Sequence, residues 1–117
     1  MLRASIVILV KNRQRHLENV LCGIQRLSSP VEETIVIHMN EAARPAPKGF
    51  TGKFISRQLQ NPDVVLPLAQ ARNLGAKLAT GNVIIFLDVD CIPARSLVTD
   101  YLAALEQLPD AIAMGEV

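Results

Sequence analysis

The chain has few cysteines, almost no net charge and no long hydrophobic run. Its 117 residues hold 12 Lys and Arg against 11 Asp and Glu, a formal charge of +1. So even a balance excludes both a polybasic nucleic-acid-binding surface and a polyacidic tail. The only cysteines are Cys22 and Cys91. They show no metal-ligand spacing, one falling on an expected helix and the other beside two carboxylates. Free thiols in a reducing compartment are therefore expected. The apolar N-terminal stretch, residues 2–10, is interrupted by Arg3 and Ser5 and is followed by no small-residue cleavage site. It is too short to span a bilayer and reads as a strand. No other segment reaches transmembrane length, and neither an internal repeat nor a low-complexity tract occurs.

Half the residues are apolar, and the length suits one domain over residues 1–117 with a single core. Three runs rich in β-branched residues, 6–10, 34–37 and 83–87, are unbroken rather than alternating. That pattern predicts strands buried on both faces of a parallel sheet. Between the first two, residues 14–27 place Leu17, Val20, Leu21, Ile24 and Leu27 on one helical stripe. Residues 40–52, with Pro45, Pro47, Gly49 and Gly52, read as a loop. A short edge strand is expected over 53–58. Pro67 suits the first turn of a helix running to Thr80, with Gly81 as its C-terminal cap. A third helix over 96–108 turns Leu97, Tyr101, Leu102 and Leu105 inward, and 111–114 opens a further strand. The fold class is α/β, a doubly wound three-layer sandwich with a mostly parallel sheet.

The third apolar run ends on Asp88 and Asp90. In an extended backbone, positions two apart point the same way, roughly 6–7 Å from each other. Two like charges have no place in a core. The C-terminal end of a buried strand is where open α/β sheets bind ligands, and a divalent cation would neutralise the pair and clamp a phosphorylated substrate. Lys11, Asn12 and Arg13 after the first strand, and His38 to Glu41 after the second, should converge on the same edge.

Ala71-Arg72-Asn73-x-Gly75, Ala79-x-Gly81-x-Val83 and Phe86-Leu87-Asp88-Val89-Asp90 occur in this order, preceded by Ser5-Ile6-Val7-Ile8 and Asn12-Arg13. Together they resemble the nucleotide-sugar half of family 2 glycosyltransferases, which have the GT-A fold, over about residues 4–108. The resemblance implies that Asp90 ligates Mn²⁺ or Mg²⁺, which holds the donor diphosphate and stabilises the leaving nucleotide. It gives Asp88 mainly to the ribose or base, with a weaker metal role, and Arg72 to the nucleotide. Asn73 and Gly75 serve packing and local capping. Where relatives carry a base-reading aspartate after the second strand, this chain has His38-Met39-Asn40-Glu41, so Asn40 or Glu41 stands in its place and His38 reads as a structural hydrogen-bonder. Position 10 is Val10 rather than a small polar residue, which leaves Lys11 and Asn12 for the first-strand contact.

The implied partner is a nucleoside-diphosphate sugar, a UDP-sugar first. The implied location is the cytoplasm, where such donors are made, free or at the inner membrane face. The implied reaction is metal-assisted, inverting transfer of the sugar to an acceptor hydroxyl. Relatives continue for about as many residues again and supply the general base. Glu106 and Asp110 have no motif around them, so the chain reads as the donor-binding half, incomplete at its C-terminus. Two other readings compete. The D-x-D also resembles that of haloacid-dehalogenase-like phosphatases, but theirs lies near the N-terminus with Thr or Val where this chain has Ile92, and no downstream lysine or acidic pair is present. A non-catalytic protein is the other, binding nucleotide sugars or forming a homo-oligomer through an exposed apolar sheet edge or helix face.

Overall fold

Each apolar run becomes a strand, and every strand points the same way. The computed structural model describes residues 2–107. Its elements are β1 (Ala4–Val10), α1 (Gln14–Ile24), β2 (Glu33–Met39), β3 (Phe54–Leu59), α2 (Leu68–Leu78), β4 (Val83–Asp88) and α3 (Leu97–Gln107). The strands form one sheet in the order β3-β2-β1-β4, with every pair parallel. Their C-terminal ends therefore share one edge. The expected α/β sandwich with helices on both faces is what forms. Among the described residues, no helix is long and apolar enough to cross a membrane.

Strand alternation divides the core in two. Ala4, Ile6, Ile8 and Val10 face Leu17, Val20, Leu21 and Ile24 of α1 and Val98 of α3. On the other face Val7, Ile35, Ile37 and Met39 pack with Ala71 of α2. Ile6, Ile8, Ile35 and Ile37 are wholly buried, and each such side chain contributes roughly 1.5–3 kcal/mol of transfer free energy.

Several boundaries differ from the sequence expectation. α1 ends at Ile24, because the chain tightens into i→i+3 bonds, Arg26 N–H to Gly23 O and Leu27 N–H to Ile24 O. β2 is longer than 34–37 and takes in His38 and Met39. On α3 it is Val98 that is fully buried, ahead of Leu97, Tyr101, Leu102 and Leu105. The expected strand over 111–114, Leu108 and Asp110 lie outside the described residues. β4 is not buried on both faces: Ile85 is covered, whereas Ile84 and Phe86 are 36% and 48% exposed. The reason is positional. Among the described residues β4 is an edge strand, and α2 packs mainly over β1 and β2.

Gly81 does not cap α2. The helix closes at Leu78, and its C-cap Ala79 is extended at φ −66° and ψ 135°. Gly81 instead lies against β1, its N–H donating to Ser5 Oγ at 2.9 Å. A β-carbon there would fall 2.6 Å from the Arg3 carbonyl oxygen. Behind it sits a buried carboxylate. Glu33, wholly buried, accepts the Ser5 hydroxyl and, at 3.1 and 2.7 Å, the Thr80 N–H and hydroxyl. Lys53 Nζ stands 3.8 Å away. Burial raises the Glu33 pKa, but these hydrogen bonds and the Lys53 charge outweigh it, leaving the carboxyl below its ordinary value.

Gly75 brings α2 down onto the sheet, since a β-carbon there would lie 2.4 Å from Val7 Cγ1. Valine has no flexible end to swing aside. Gly75→Ala should thus destabilise the fold by about 1–2 kcal/mol, overpacking at about 1–3 kcal/mol outweighing the helix-propensity gain of up to about 1. Urea denaturation checks this, and an alanine variant as stable as the parent would show that the helix can lift at no cost.

Candidate functional site

The C-terminal ends of β1, β2 and β4 and the start of α2 surround an open cavity of about 320 Å³. That is the low end of the size range for small-molecule sites. Lys11, Arg13, Arg72, Asp88 and Asp90 all line it, and Leu66, Leu68 and Phe86 are among its apolar lining. Three cations thus face two carboxylates across one opening.

Each charged group arrives by its own local device. β1 ends at Val10, and Asn12 then takes φ 55°, a left-handed conformation that asparagine tolerates better than most residues. The turn puts Lys11 and Arg13 on the cavity. Arg72 comes from the first turns of α2. Asp88 is the last residue of β4. Here the geometry departs from the expected extended D-x-D, because Val89 and Asp90 form a turn closed by Cys91 N–H to Asp88 O at 3.1 Å. The carboxylates converge through that turn, not through strand alternation.

The same turn adds a group that the sequence reading left as a bystander. Ligand atoms of Asp88, Asp90 and Cys91 all lie within 4.8 Å of one another. Cys91 Sγ is 3.8 Å from Asp90 Oδ1. Burial, the charges of Asp90 and Asp88 and this hydrogen bond push the thiol pKa up. Two hard carboxylates this close suit an oxygen-preferring ion such as Mn²⁺ or Mg²⁺. Cys91's position next to the motif was the available signal. Both cysteines are free thiols.

Asn12, Asn40 and Glu41 do not line the cavity. They tie the loops behind it. Glu41 accepts the Asn12 N–H and meets His38 Nδ1 at 2.9 Å. Asn40, at φ 52°, accepts the Asn61 N–H at 2.6 Å and donates to the Asn61 and Val64 carbonyls at 3.0 and 2.9 Å. Its own carbonyl accepts Lys11 Nζ at 3.1 Å. His38 is fully buried, and its Nε2 accepts the Arg44 N–H at 3.4 Å. It is a structural hydrogen-bonder, as its strand-end position suggested.

A search of curated protein sequences gives no match. Among solved structures, the chain is similar to S. aureus TarS 1-349, with TM-score 0.73 and 15% identity over 97% of this chain and 38% of that one. TarS 1-349 in complex with UDP gives 0.66 and 18% over 90% of this chain and 32% of that one. A further crystal structure of S. aureus TarS gives 0.61 and 17%, over 90% and 20%. At such identities the likeness establishes the fold, and the chain spans less than two fifths of each of those chains. The sequence model of glycosyl transferase family 2 matches residues 51–117, more than half of the chain and the part that carries Arg72 and both aspartates. On that match, the chain belongs to glycosyl transferase family 2.

Proposed function

We propose that the cavity is the donor site of a glycosyltransferase and binds the diphosphate of a nucleotide sugar. The observation that carries this reading is the meeting of Lys11, Arg13 and Arg72 with Asp88 and Asp90 at one strand edge. Cations in a partly enclosed site attract phosphate oxygens, and an arginine fork can meet two of them at once. Asp90, with Asp88, would hold Mn²⁺ or Mg²⁺. Bound there, the metal would supply Lewis-acid neutralisation of charge on the leaving nucleotide. Lys11 and Arg13 bind from the β1 side and Arg72 from the helix side, which orients the diphosphate across the opening. Asn12, Asn40 and Glu41 support this site from behind, through the loops that they join.

In a longer protein this unit, residues 1–117, would present the sugar to an acceptor hydroxyl for transfer with inversion. The general base and acceptor surface would come from elsewhere in that protein. The reading carries with it a location in the cytoplasm or at the inner membrane face, where the donors are made. UDP is the first ligand to try, since UDP is what the similar TarS structure holds.

Calorimetric titration with UDP, with and without Mn²⁺, tests the proposal. Metal-dependent binding is expected, and no binding under either condition would overturn it. Arg72→Ala should weaken UDP binding by about 1–3 kcal/mol, the loss of a charge-assisted hydrogen bond. Equal affinity would return Arg72 to the exposed helix surface.

A further inference from the structure

We infer that Gly23 of α1 is a positioning residue for the turn that carries Asp88 and Asp90. Having no side chain, it seats Pro93, and Pro93 in turn fixes where the two carboxylates meet. The inference rests on the donor-site reading above and concerns its metal-binding part.

The turn hangs between two weakly held stretches. It leaves β4, an edge strand among the described residues, and residues 91–94 after it are neither helix nor strand. Within that irregular stretch Pro93 is nonetheless buried, between exposed Ile92 and exposed Ala94. It lies on Gly23, itself buried in the last turn of α1. A β-carbon at Gly23 would stand 3.0 Å from Pro93 Cδ, 3.4 Å from Pro93 Cγ and 3.0 Å from Ile92 Cγ2. Carbon pairs settle at about 3.5–4.0 Å, so an alanine there would push on both residues. The exposed Ile92 side chain can turn aside. The Pro93 ring is closed on its own backbone and moves only with the chain.

Downstream, that chain is pinned. The Arg95 carbonyl accepts both the N–H and the hydroxyl of Ser28, each at 2.8 Å, and Arg95 Nε donates to Arg26 O at 3.3 Å. The loop after α1 therefore holds the residues beyond Pro93 in place. Upstream, Ile92 and Cys91 alone separate Pro93 from Asp90, and the Cys91 N–H is the group that closes the turn on Asp88 O. Displacing Pro93 strains that closure and the spacing of the carboxylates with it. The cations are spared, because Lys11 and Arg13 follow β1 and Arg72 stands on α2.

This separation makes the role measurable, by calorimetric titration of UDP with and without Mn²⁺. Gly23→Ala should keep the metal-free affinity and shrink the gain that Mn²⁺ gives by about three- to tenfold. Loss of a partner that orients a metal ligand directly costs about 10–100-fold, and Gly23 acts one step further back. Cys22→Ala, one residue away and exposed, should change neither quantity. Adding Pro93→Ala to Gly23→Ala removes the ring that the new methyl meets, so the double variant should match Pro93→Ala alone. A full Mn²⁺ gain in Gly23→Ala would overturn the inference. Equal losses with and without metal would overturn it too, as a general loosening of the site, and so would a shrunken gain in Cys22→Ala. Losses that simply add in the double variant would show that Gly23 and Pro93 do not act together, which the inference requires. A wild-type chain with no Mn²⁺ gain at all would instead fail the metal part of the donor-site reading, before any variant is compared.

Discussion

Asp90→Ala is expected to remove the Mn²⁺-dependent part of UDP binding, a loss of about 100-fold or more. Loss of a partner that merely orients a metal ligand already costs about 10–100-fold in metal affinity, and loss of the ligand itself should cost no less. The fold should be untouched. Asp90 is exposed, and the turn that carries it is closed by backbone atoms of Asp88 and Cys91. Calorimetry with and without Mn²⁺ reads the first expectation, and far-ultraviolet circular dichroism the second. Full Mn²⁺-dependent affinity in a folded Asp90→Ala protein would remove the metal from this turn.

The second large effect lies at the opposite end of the sheet. Glu33→Ala should cost about 2–4 kcal/mol, the charge-assisted bonds from Ser5 and Thr80 less the relief of no longer burying an anion. Those bonds hold the link from α2 to β4 against β1, so the same loss should loosen the register of the strand that ends in the aspartates. A pH dependence follows from the direction of the shift. The Glu33 carboxyl is lowered in the folded chain, so its contribution is complete above the unfolded-state pKa. It is lost as pH falls through the folded-state value. Glu33→Gln keeps the shape, accepts from Thr80 and removes the charge. It should flatten the acid limb of the stability profile, measured as urea midpoints between pH 3 and 7 (a range of roughly ordinary carboxylate titration). An acid limb unchanged in Glu33→Gln would move this sensitivity to another carboxylate.

The central frame was legible because its signals are short-range and redundant. Unbroken β-branched runs in β1 and β2 do mean burial on both faces, and the Leu17-Val20-Leu21-Ile24 stripe does face the sheet. β4 carries the same kind of run and is only half covered. Its place at the edge is set by the order of strands, which no local pattern encodes. Gly81 read as a cap because glycine follows helices so often; its closeness to Arg3 and Ser5 joins residues far apart in the chain. At the site, Lys11, Arg13, Asp88 and Asp90 could be listed from their positions at strand ends, and Arg72 from the family resemblance. The turn that gathers Asp88, Asp90 and Cys91 could not, because spacing alone does not tell extended backbone from a turn. Asn12 and Asn40 stood out as polar residues at strand ends. Their left-handed backbone and internal hydrogen bonds are the physical reason for asparagine at both.

The placement of the helices also restricts what can lie beyond β4. α1 and α3 cover one face and α2 the other. Strand–helix–strand crossovers are right-handed in nearly all parallel sheets. With its helix on the α1 face, such a crossover steps from β1 to β2, away from β4. A step of the same hand from β4 through α3 would lead back toward β1, where the place is taken. Chirality therefore closes the outer flank of β4 to a parallel strand arriving directly from α3. A strand that pairs with that flank must run antiparallel or reach the sheet by a longer path.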